Sequence, residues 1–289
     1  MNKSSQTPGS LLRAALQSRR GMLVPGAGNA LAARVIEALG FEAVYLSGAG
    51  VANSFYAIPD LGFLHLGDVA NHTAAVRDAV ALPLIVDADT GFGNALNVRQ
   101  TVRTLERAGA NAIQLEDQQM PKKCGHFSGK AVVDTQEMIG KVKAAVDARS
   151  TDDFLIFART DARAVTGLDD ALERASRYAE VGADVTFVEA PTSREELRQI
   201  ALLPFPQVAN VVIGGKTPAL TVAEFAELRF GMVLYANAAL QGAVRGMFNA
   251  LQSLQAEGIL REDPALVASF VQRQELVRKA LFDELEIRY

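Results

Sequence analysis

The segment Pro121-Lys122-Lys123-Cys124-Gly125-His126 carries the single cysteine of the chain, set between two lysines and a histidine. Cations on both sides favour a thiolate, and a thiolate is a usable proton carrier near neutral pH. A carboxylate pair, Glu116-Asp117, lies just upstream, and a second acidic cluster, Val86-Asp87-Ala88-Asp89-Thr90-Gly91-Phe92-Gly93, lies one unit earlier. A proton carrier beside clustered carboxylates points to metal-assisted carbon-acid chemistry. The competing reading of Cys124 is a packed small hydrophobe, the usual state of a lone cysteine.

Asp87, Asp89 and Glu116 are expected to turn hard oxygen ligands toward one point. Their i, i+2 spacing at a strand end aims Asp87 and Asp89 the same way. Mg²⁺ prefers one or two carboxylates plus waters and substrate oxygens. Ion pairing with neighbouring Arg or Lys is the alternative. His65, His72 and His126 lack helical ligand spacing for zinc. Asp60, after Pro59 in a long loop expected to follow the second strand, either reaches the outer shell of the metal or simply makes a turn. Arg159 offers a bidentate fork to a carboxylate, or a salt bridge to Glu189 or Asp161. Ser47 and the backbone around Gly48 offer donors to a second carboxylate.

Those residues need a frame. Nearly continuous apolar runs, expected of parallel strands covered on both faces, lie near Met22–Pro25, Ala43–Ser47, Leu84–Asp87, Ala112–Glu116, Phe154–Ala158, Asp184–Val188, Gln207–Asn210 and Met232–Tyr235. Helical patterns alternate with them, several closed by a glycine just past the last turn, as at Gly40, Gly109 and Gly182. Eight such units predict a (β/α)₈ TIM barrel. A doubly wound sheet is the alternative, but its G-x-G-x-x-G fingerprint breaks at the third glycine in Gly26-Ala27-Gly28-Asn29-Ala30-Leu31. Barrel chemistry sits at the C-terminal strand ends. Those ends carry Ser47, Asp87, Asp89, Glu116, Arg159, Glu189, Asn210 and Asn237. The Met120–Gly129 loop reads as a mobile lid carrying Cys124. Two further helices are expected near Ala238–Ala256 and Pro264–Glu286, the second an amphipathic helix that needs a surface to cover.

The chain has 289 residues, 49% of them apolar, enough for a sizeable core. A net charge of −4 argues against a nucleic-acid partner. One cysteine excludes an intrachain disulfide framework and fits a reducing compartment. Residues 1–11 read as a disordered tail rather than a signal peptide, and residues 12–289 as one barrel domain. No apolar run approaches a membrane span. The expectation is a soluble cytoplasmic protein.

Together, Ser47-Gly48, Pro59-Asp60, Asp87-x-Asp89-x-Gly91-x-Gly93, Glu116-Asp117, Lys122-Lys123-Cys124-Gly125-His126, Arg159-Thr160-Asp161 and Glu189 resemble the isocitrate lyase/phosphoenolpyruvate mutase superfamily. The Lys-Lys-Cys-Gly-His segment resembles its carbon–carbon lyase branch. The resemblance implies a (β/α)₈ barrel with a C-terminal helix swapped between subunits, in a dimer of dimers. It implies Mg²⁺, with Mn²⁺ as a substitute, at Asp87, helped by Asp89, Glu116 and Asp60 mostly through water. It implies a 2-hydroxy dicarboxylic acid held by Ser47, Gly48, Ala49, Gly125 and Arg159, near Glu189 and Asn210. The C2–C3 bond then breaks to a 2-oxo acid and an enediolate, and Cys124, beside Lys122 and His126, resembles the proton donor.

Within the superfamily the chain resembles the 2-methylisocitrate lyases and the 2,3-dimethylmalate lyase/petal-death group. Ile213 replaces a glutamate of the former, and Gln241 an arginine. Losing that arginine weakens a tricarboxylate site, and Ile213 suggests a small apolar substituent. The expected substrate is a substituted malate. 2-Methylisocitrate is the alternative, and Tyr235-Ala236-Asn237 keeps oxaloacetate hydrolysis or decarboxylation open. A catalytically silent metabolite-binding barrel is the non-enzymatic alternative.

Overall fold

The computed structural model describes residues 6–289. Eight parallel strands close on themselves in chain order. They are β1 Met22–Ala27, β2 Val44–Leu46, β3 Leu84–Asp87, β4 Ala112–Glu116, β5 Leu155–Thr160, β6 Val185–Val188, β7 Gln207–Asn210 and β8 Met232–Tyr235. The helices are α1 Pro8–Gln17, α2 Ala30–Ala38, α3 Gly48–Phe55, α4 Leu66–Ala79, α5 Ala95–Arg107, α6 Thr135–Ala148, α7 Leu168–Glu180, α8 Arg194–Ala201, α9 Val222–Glu227, α10 Ala238–Glu257, α11 Phe270–Leu276 and α12 Lys279–Arg288. This is the (β/α)₈ barrel the sequence predicts.

Strand periodicity divides the core. Met22, Val24, Ile85, Leu155, Phe157, Val208 and Met232 point inward and fill the barrel. Their neighbours Leu84, Val86, Ile113, Leu115 and Ile156 point outward beneath the helices, as alternating side chains of a pleated strand must. On the opposite side Val188, Ala209 and Val233 do the same under Leu197 and Phe225. Gly109 and Gly182 take φ of 100° and 109°, so the helix-to-strand turns use the left-handed backbone that glycine alone enters freely.

Three expectations are corrected. First, α1 begins at Pro8, inside the segment read as a tail through residue 11. Thr7 caps it by accepting from the Ser10 N–H at 3.0 Å. Its Leu12 and Leu16 are each 1% exposed and belong to the interior cluster, so α1 stoppers the lower end of the barrel. Truncating either leucine to alanine costs about 2–5 kcal/mol. Residues 1–5 of the expected tail lie outside the described residues. Second, the chain after β2 is helix α3 and not a plain loop, because Ser47 supplies an N-cap, accepting from the Gly50 N–H at 3.1 Å. Third, the long C-terminal helix is broken. Ser269 caps α11, and Arg278 turns left-handed at φ 56° while pairing with Glu37 of α2 at 3.1 Å. Helices α10, α11 and α12 bury no residue in the single chain, and Phe248, Leu251, Phe270 and Phe282 stand exposed. Among the described residues no helix is long and apolar enough to cross a membrane.

Strand register fixes which rim residues are neighbours. The β4–β5 ladder sets Glu116 opposite Arg159, and the β3–β4 ladder sets Asp87 opposite Gln114.

Candidate active site

The upper rim of the barrel encloses a cavity. Ser47, Ala49, Asp60, Asp87, Glu116, Lys122, Cys124, Gly125, His126, Arg159, Glu189 and Asn210 all line it. Gly48 sits beside them, its N–H donating weakly to Asp87 Oδ2 at 3.3 Å. Asp89 is buried just behind, in ion-pair contact with Lys122. Two expected residues are not brought in. Ile213 is 53% exposed and does not line the cavity. Gln241 lies on the first turn of α10 in a separate hollow with Asn53, Val244 and Arg245. In their place the β7 and β8 ends supply Val212, Leu234, Ala236 and Asn237.

Carboxylates dominate the metal side. Burial raises Asp89 to about 7, against the opposing pull of Lys122, with Asp87 and Asp60 adding to the rise. Burial also raises Glu116 well above the ordinary carboxylate range, despite Arg159 Nη1 at 3.2 Å from Oε2. Lys122 answers this charge. Its Nζ is 2.5 Å from Asp60 Oδ1 and 2.7 Å from Asp89 Oδ1. Burial would lower its pKa, but Asp89, Glu116 and Asp60 outweigh that and hold it well above its ordinary value. Asp89 takes a left-handed backbone at φ 47°, a strained state for an aspartate at a site.

Among the described residues no three His, Cys, Asp or Glu groups are placed to grip one ion. Lys122 draws Asp89 and Asp60 together, and Arg159 draws Glu116 away. The donor set still fits a hard cation bound at Asp87 with the others behind water. Glu116 Oε1 is buried with no hydrogen-bond partner, an acceptor left for a bound water or cation.

Arg159 is held from three sides. Asp161 accepts from Nε at 2.9 Å and from Nη2 at 3.1 Å, Glu116 meets Nη1, and the guanidinium carbon stands 5.2 Å over the Phe187 ring. Both sequence readings of Arg159 are therefore realised, a structural ion pair that also faces the cavity. Burial would raise Asp161, but Arg159 and Lys130 outweigh it and hold the carboxyl below its usual range. Glu189 is likewise lowered, burial being outweighed by Arg159 and His126. Nε2 of His126 is 3.1 Å from Glu189 Oε1 but lacks hydrogen-bond geometry, and its Nδ1 accepts from the Lys216 N–H at 3.0 Å. Asn210 Nδ2 donates to Glu189 at 3.3 Å.

The Cys124 expectation changes sign. Neither lysine ammonium is directed at the sulfur, since Lys122 faces Asp60 and Lys123 Nζ donates to the Gly129 carbonyl at 2.9 Å. Burial pushes the thiol above its ordinary 9.0, more than the His126 backbone N–H pulls it down. Cys124 is thus held as a protonated thiol at neutral pH.

Sequence reasoning missed several groups. Tyr45 OH donates to Gln114 Oε1 at 2.7 Å, and Gln114 Nε2 faces Asp87 Oδ1 at 3.4 Å. Inward strand positions beside an aspartate were the available signal. Gln118 grips the lid by both backbone groups of Lys123, donating to its carbonyl at 2.8 Å and accepting from its N–H at 3.0 Å. Lys130, six residues past Cys124, is buried at the foot of the lid and pairs with Asp161.

Residues 12–255 match the family model of phosphoenolpyruvate phosphomutase. The chain belongs to the isocitrate lyase/phosphoenolpyruvate mutase superfamily. Among superfamily members it is 42% identical to the 2,3-dimethylmalate lyase of Eubacterium barkeri over 96% of each chain. It is 45% identical to the 2-methylisocitrate lyase of Aeropyrum pernix, over 89% of this chain and 83% of that one. A solved oxaloacetate acetylhydrolase superposes with TM-score 0.90 at 32% identity, covering 97% of this chain and 96% of its own. A phosphonopyruvate hydrolase solved with oxalate and Mg²⁺ superposes with TM-score 0.88 at 34% identity, covering 98% and 99%. As a superfamily member with lyase relatives, the chain is an enzyme of the carbon–carbon lyase type.

Proposed function

We propose that this lyase cleaves the C2–C3 bond of a substituted malate of the 2,3-dimethylmalate kind. The products are a 2-oxo acid such as pyruvate and a monocarboxylate. The observation that carries this reading is the charge inventory of the cavity. Among the described residues Arg159 is the one guanidinium lining it, and Val212, Leu234 and Ala236 contribute apolar wall. Lys122 is engaged by Asp60 and Asp89, and Gln241 lies elsewhere. Such a lining suits two carboxylates and small alkyl groups better than three carboxylates.

Asp87 would hold Mg²⁺, or Mn²⁺ in its place, with Asp89, Glu116 and Asp60 behind water; when bound, the ion supplies Lewis-acid stabilisation of negative charge on substrate oxygens. The likeness to the Mg²⁺-containing hydrolase supports this choice. Arg159, pre-oriented by Asp161, grips one substrate carboxylate. The Ser47 hydroxyl and the Ala49 N–H, at the start of α3, receive the other. After bond cleavage the Cys124 thiol delivers its proton to carbon of the enediolate. The closed lid keeps water from competing for that carbon. The proposal extends to a cytoplasmic homo-oligomer, a dimer of dimers in which a second copy covers the apolar residues of α10 to α12. Sedimentation as a monomer would overturn that part.

The decisive experiment is a panel of 2,3-dimethylmalate, 3-methylmalate, 2-methylisocitrate, isocitrate and oxaloacetate with Mg²⁺. It follows 2-oxo acid release and, for oxaloacetate, its disappearance. Preference for a substituted malate supports the reading, and preference for 2-methylisocitrate overturns it. One observation favours a second reading, oxaloacetate hydrolysis. Asn237 lines the cavity with its Oδ1 buried and unpaired, an acceptor suited to a water or a hydrated carbonyl. Oxaloacetate turnover above every malate would select it.

A further inference from the structure

Lys130 is a buried cation to which the proposed reaction assigns no role. Its side chain is 1% exposed. A buried ammonium persists only where acceptors surround it, and here there are two. Nζ stands 2.6 Å from Asp161 Oδ1 and also donates to the carbonyl of Gly125. The two acceptors belong to different parts of the site. Asp161 is the bidentate partner of Arg159, at the end of β5. Gly125 follows Cys124 in the lid. The lid backbone is pressed so closely onto this pair that a Cβ on Gly125 would lie 2.3 Å from Arg159 Nη2. Other ties hold the segment on either side of the thiol, Lys122 pairing with Asp60 and Asp89 and His126 accepting from the Lys216 N–H, but none of these reaches the Arg159–Asp161 pair. Gln118 meets Lys123 through neutral amide bonds, and Lys123 Nζ reaches only the exposed Gly129 carbonyl.

We infer that Lys130 is a positioning residue whose ammonium latches the Cys124-bearing segment onto the Arg159–Asp161 pair. The charge-assisted bonds of one side chain set the height of the thiol above the guanidinium. The inference rests on Cys124 and Arg159 being the working pair of the proposed reaction, but its test needs no turnover.

Cys124 is the only thiol in the chain, so its alkylation reports lid opening without background. The full-length protein and its Lys130→Met variant are treated with iodoacetamide across pH 7 to 10, the product being read by intact mass. Loss of the latch raises the limiting rate at high pH about tenfold or more, the apparent thiol pKa moving little. Ser128→Ala, a change on the exposed lid tip, leaves the rate at the parent value. An unchanged limiting rate in K130M overturns the inference. So does a change confined to the apparent pKa, because Lys130 would then act by charge alone. If K130M does not fold, Lys130→Gln is read by the same two criteria. Should the substrate panel fail while alkylation responds, the latch stands and only the choice of reaction falls.

Discussion

Glu116 and Asp117 are consecutive, yet they face opposite sides of the barrel rim. Glu116 turns into the cavity, 3.2 Å from Arg159 Nη1. Asp117 turns out under α7, where it accepts from Thr160 Oγ1 at 2.7 Å, Tyr178 OH at 2.9 Å, the Asp161 N–H at 2.9 Å and Arg174 Nη1 at 3.2 Å. The pair that looks like one acidic cluster in sequence divides into a cavity-facing and a packed structural group. Glu116→Gln therefore lowers turnover with little change in melting temperature. Asp117→Ala leaves Arg174 with Asp170 alone as a carboxylate partner, strips Thr160 and Tyr178 of their acceptor, and costs about 3 kcal/mol of stability. Activity assays beside thermal melts of both variants check the division.

Cys124→Ser removes the carbon acid. Turnover drops by about 10²–10⁴-fold, while calorimetry with oxalate, a non-reacting dicarboxylate, shows affinity close to the parent. The pH dependence follows from the raised thiol. A donor must be protonated, and its pKa lies above 9.0. The alkaline limb is therefore centred above the ordinary cysteine range, and a pH–rate profile reads where it falls. A limb centred near pH 7 would mean that the lysines do act on the sulfur.

Gly125→Ala tests the closeness of lid and guanidinium. The added methyl carbon would meet Arg159 Nη2 at 2.3 Å and the Glu189 carboxyl carbon at 2.6 Å. Either the lid lifts or Arg159 moves, and both loosen substrate. The expected result is a KM raised about tenfold or more, with the barrel still folded by circular dichroism.

Val212 takes the cavity position that the sequence suggests for Ile213. Val212 lines the cavity and Ile213 is exposed. Val212→Ala changes kcat/KM among differently substituted malates by about tenfold, the scale of one or two methylenes in a pocket. Ile213→Ala leaves the ranking as it was. Competition between two malates, followed by product analysis, separates these outcomes.

Mg²⁺ should stabilise the folded chain as well as activate it. Asp89 and Glu116 are both pushed up by burial, so a cation among them relieves an unfavourable state. Saturation at about 100 times the dissociation constant adds about 2.7 kcal/mol. Differential scanning fluorimetry with Mg²⁺ and with chelator measures the shift, and a melting temperature indifferent to Mg²⁺ would count against binding at Asp87.

The sequence by itself determined the barrel and the membership of its rim. Eight apolar runs with glycine-closed helices admit few other folds, since buried parallel strands need cover on both faces. Strand ends then brought Ser47, Asp87, Glu116, Arg159, Glu189 and Asn210 together, because chain position along a strand maps onto height in a barrel. Tertiary structure decided the rest. Whether Asp117 serves chemistry or packing depends on which face of a rim residue meets α7. Whether Ile213 or Val212 meets substrate depends on one loop residue, below the reach of periodicity. The protonation of Cys124 depended on where two flexible lysine side chains ended, and carboxylates distant in sequence drew Lys122 away from the sulfur. Nothing in the sequence around Lys130 sets it apart from a surface charge. Only folding brought it to Asp161, thirty-one residues on, since long-range ion pairs leave no periodic trace in the chain.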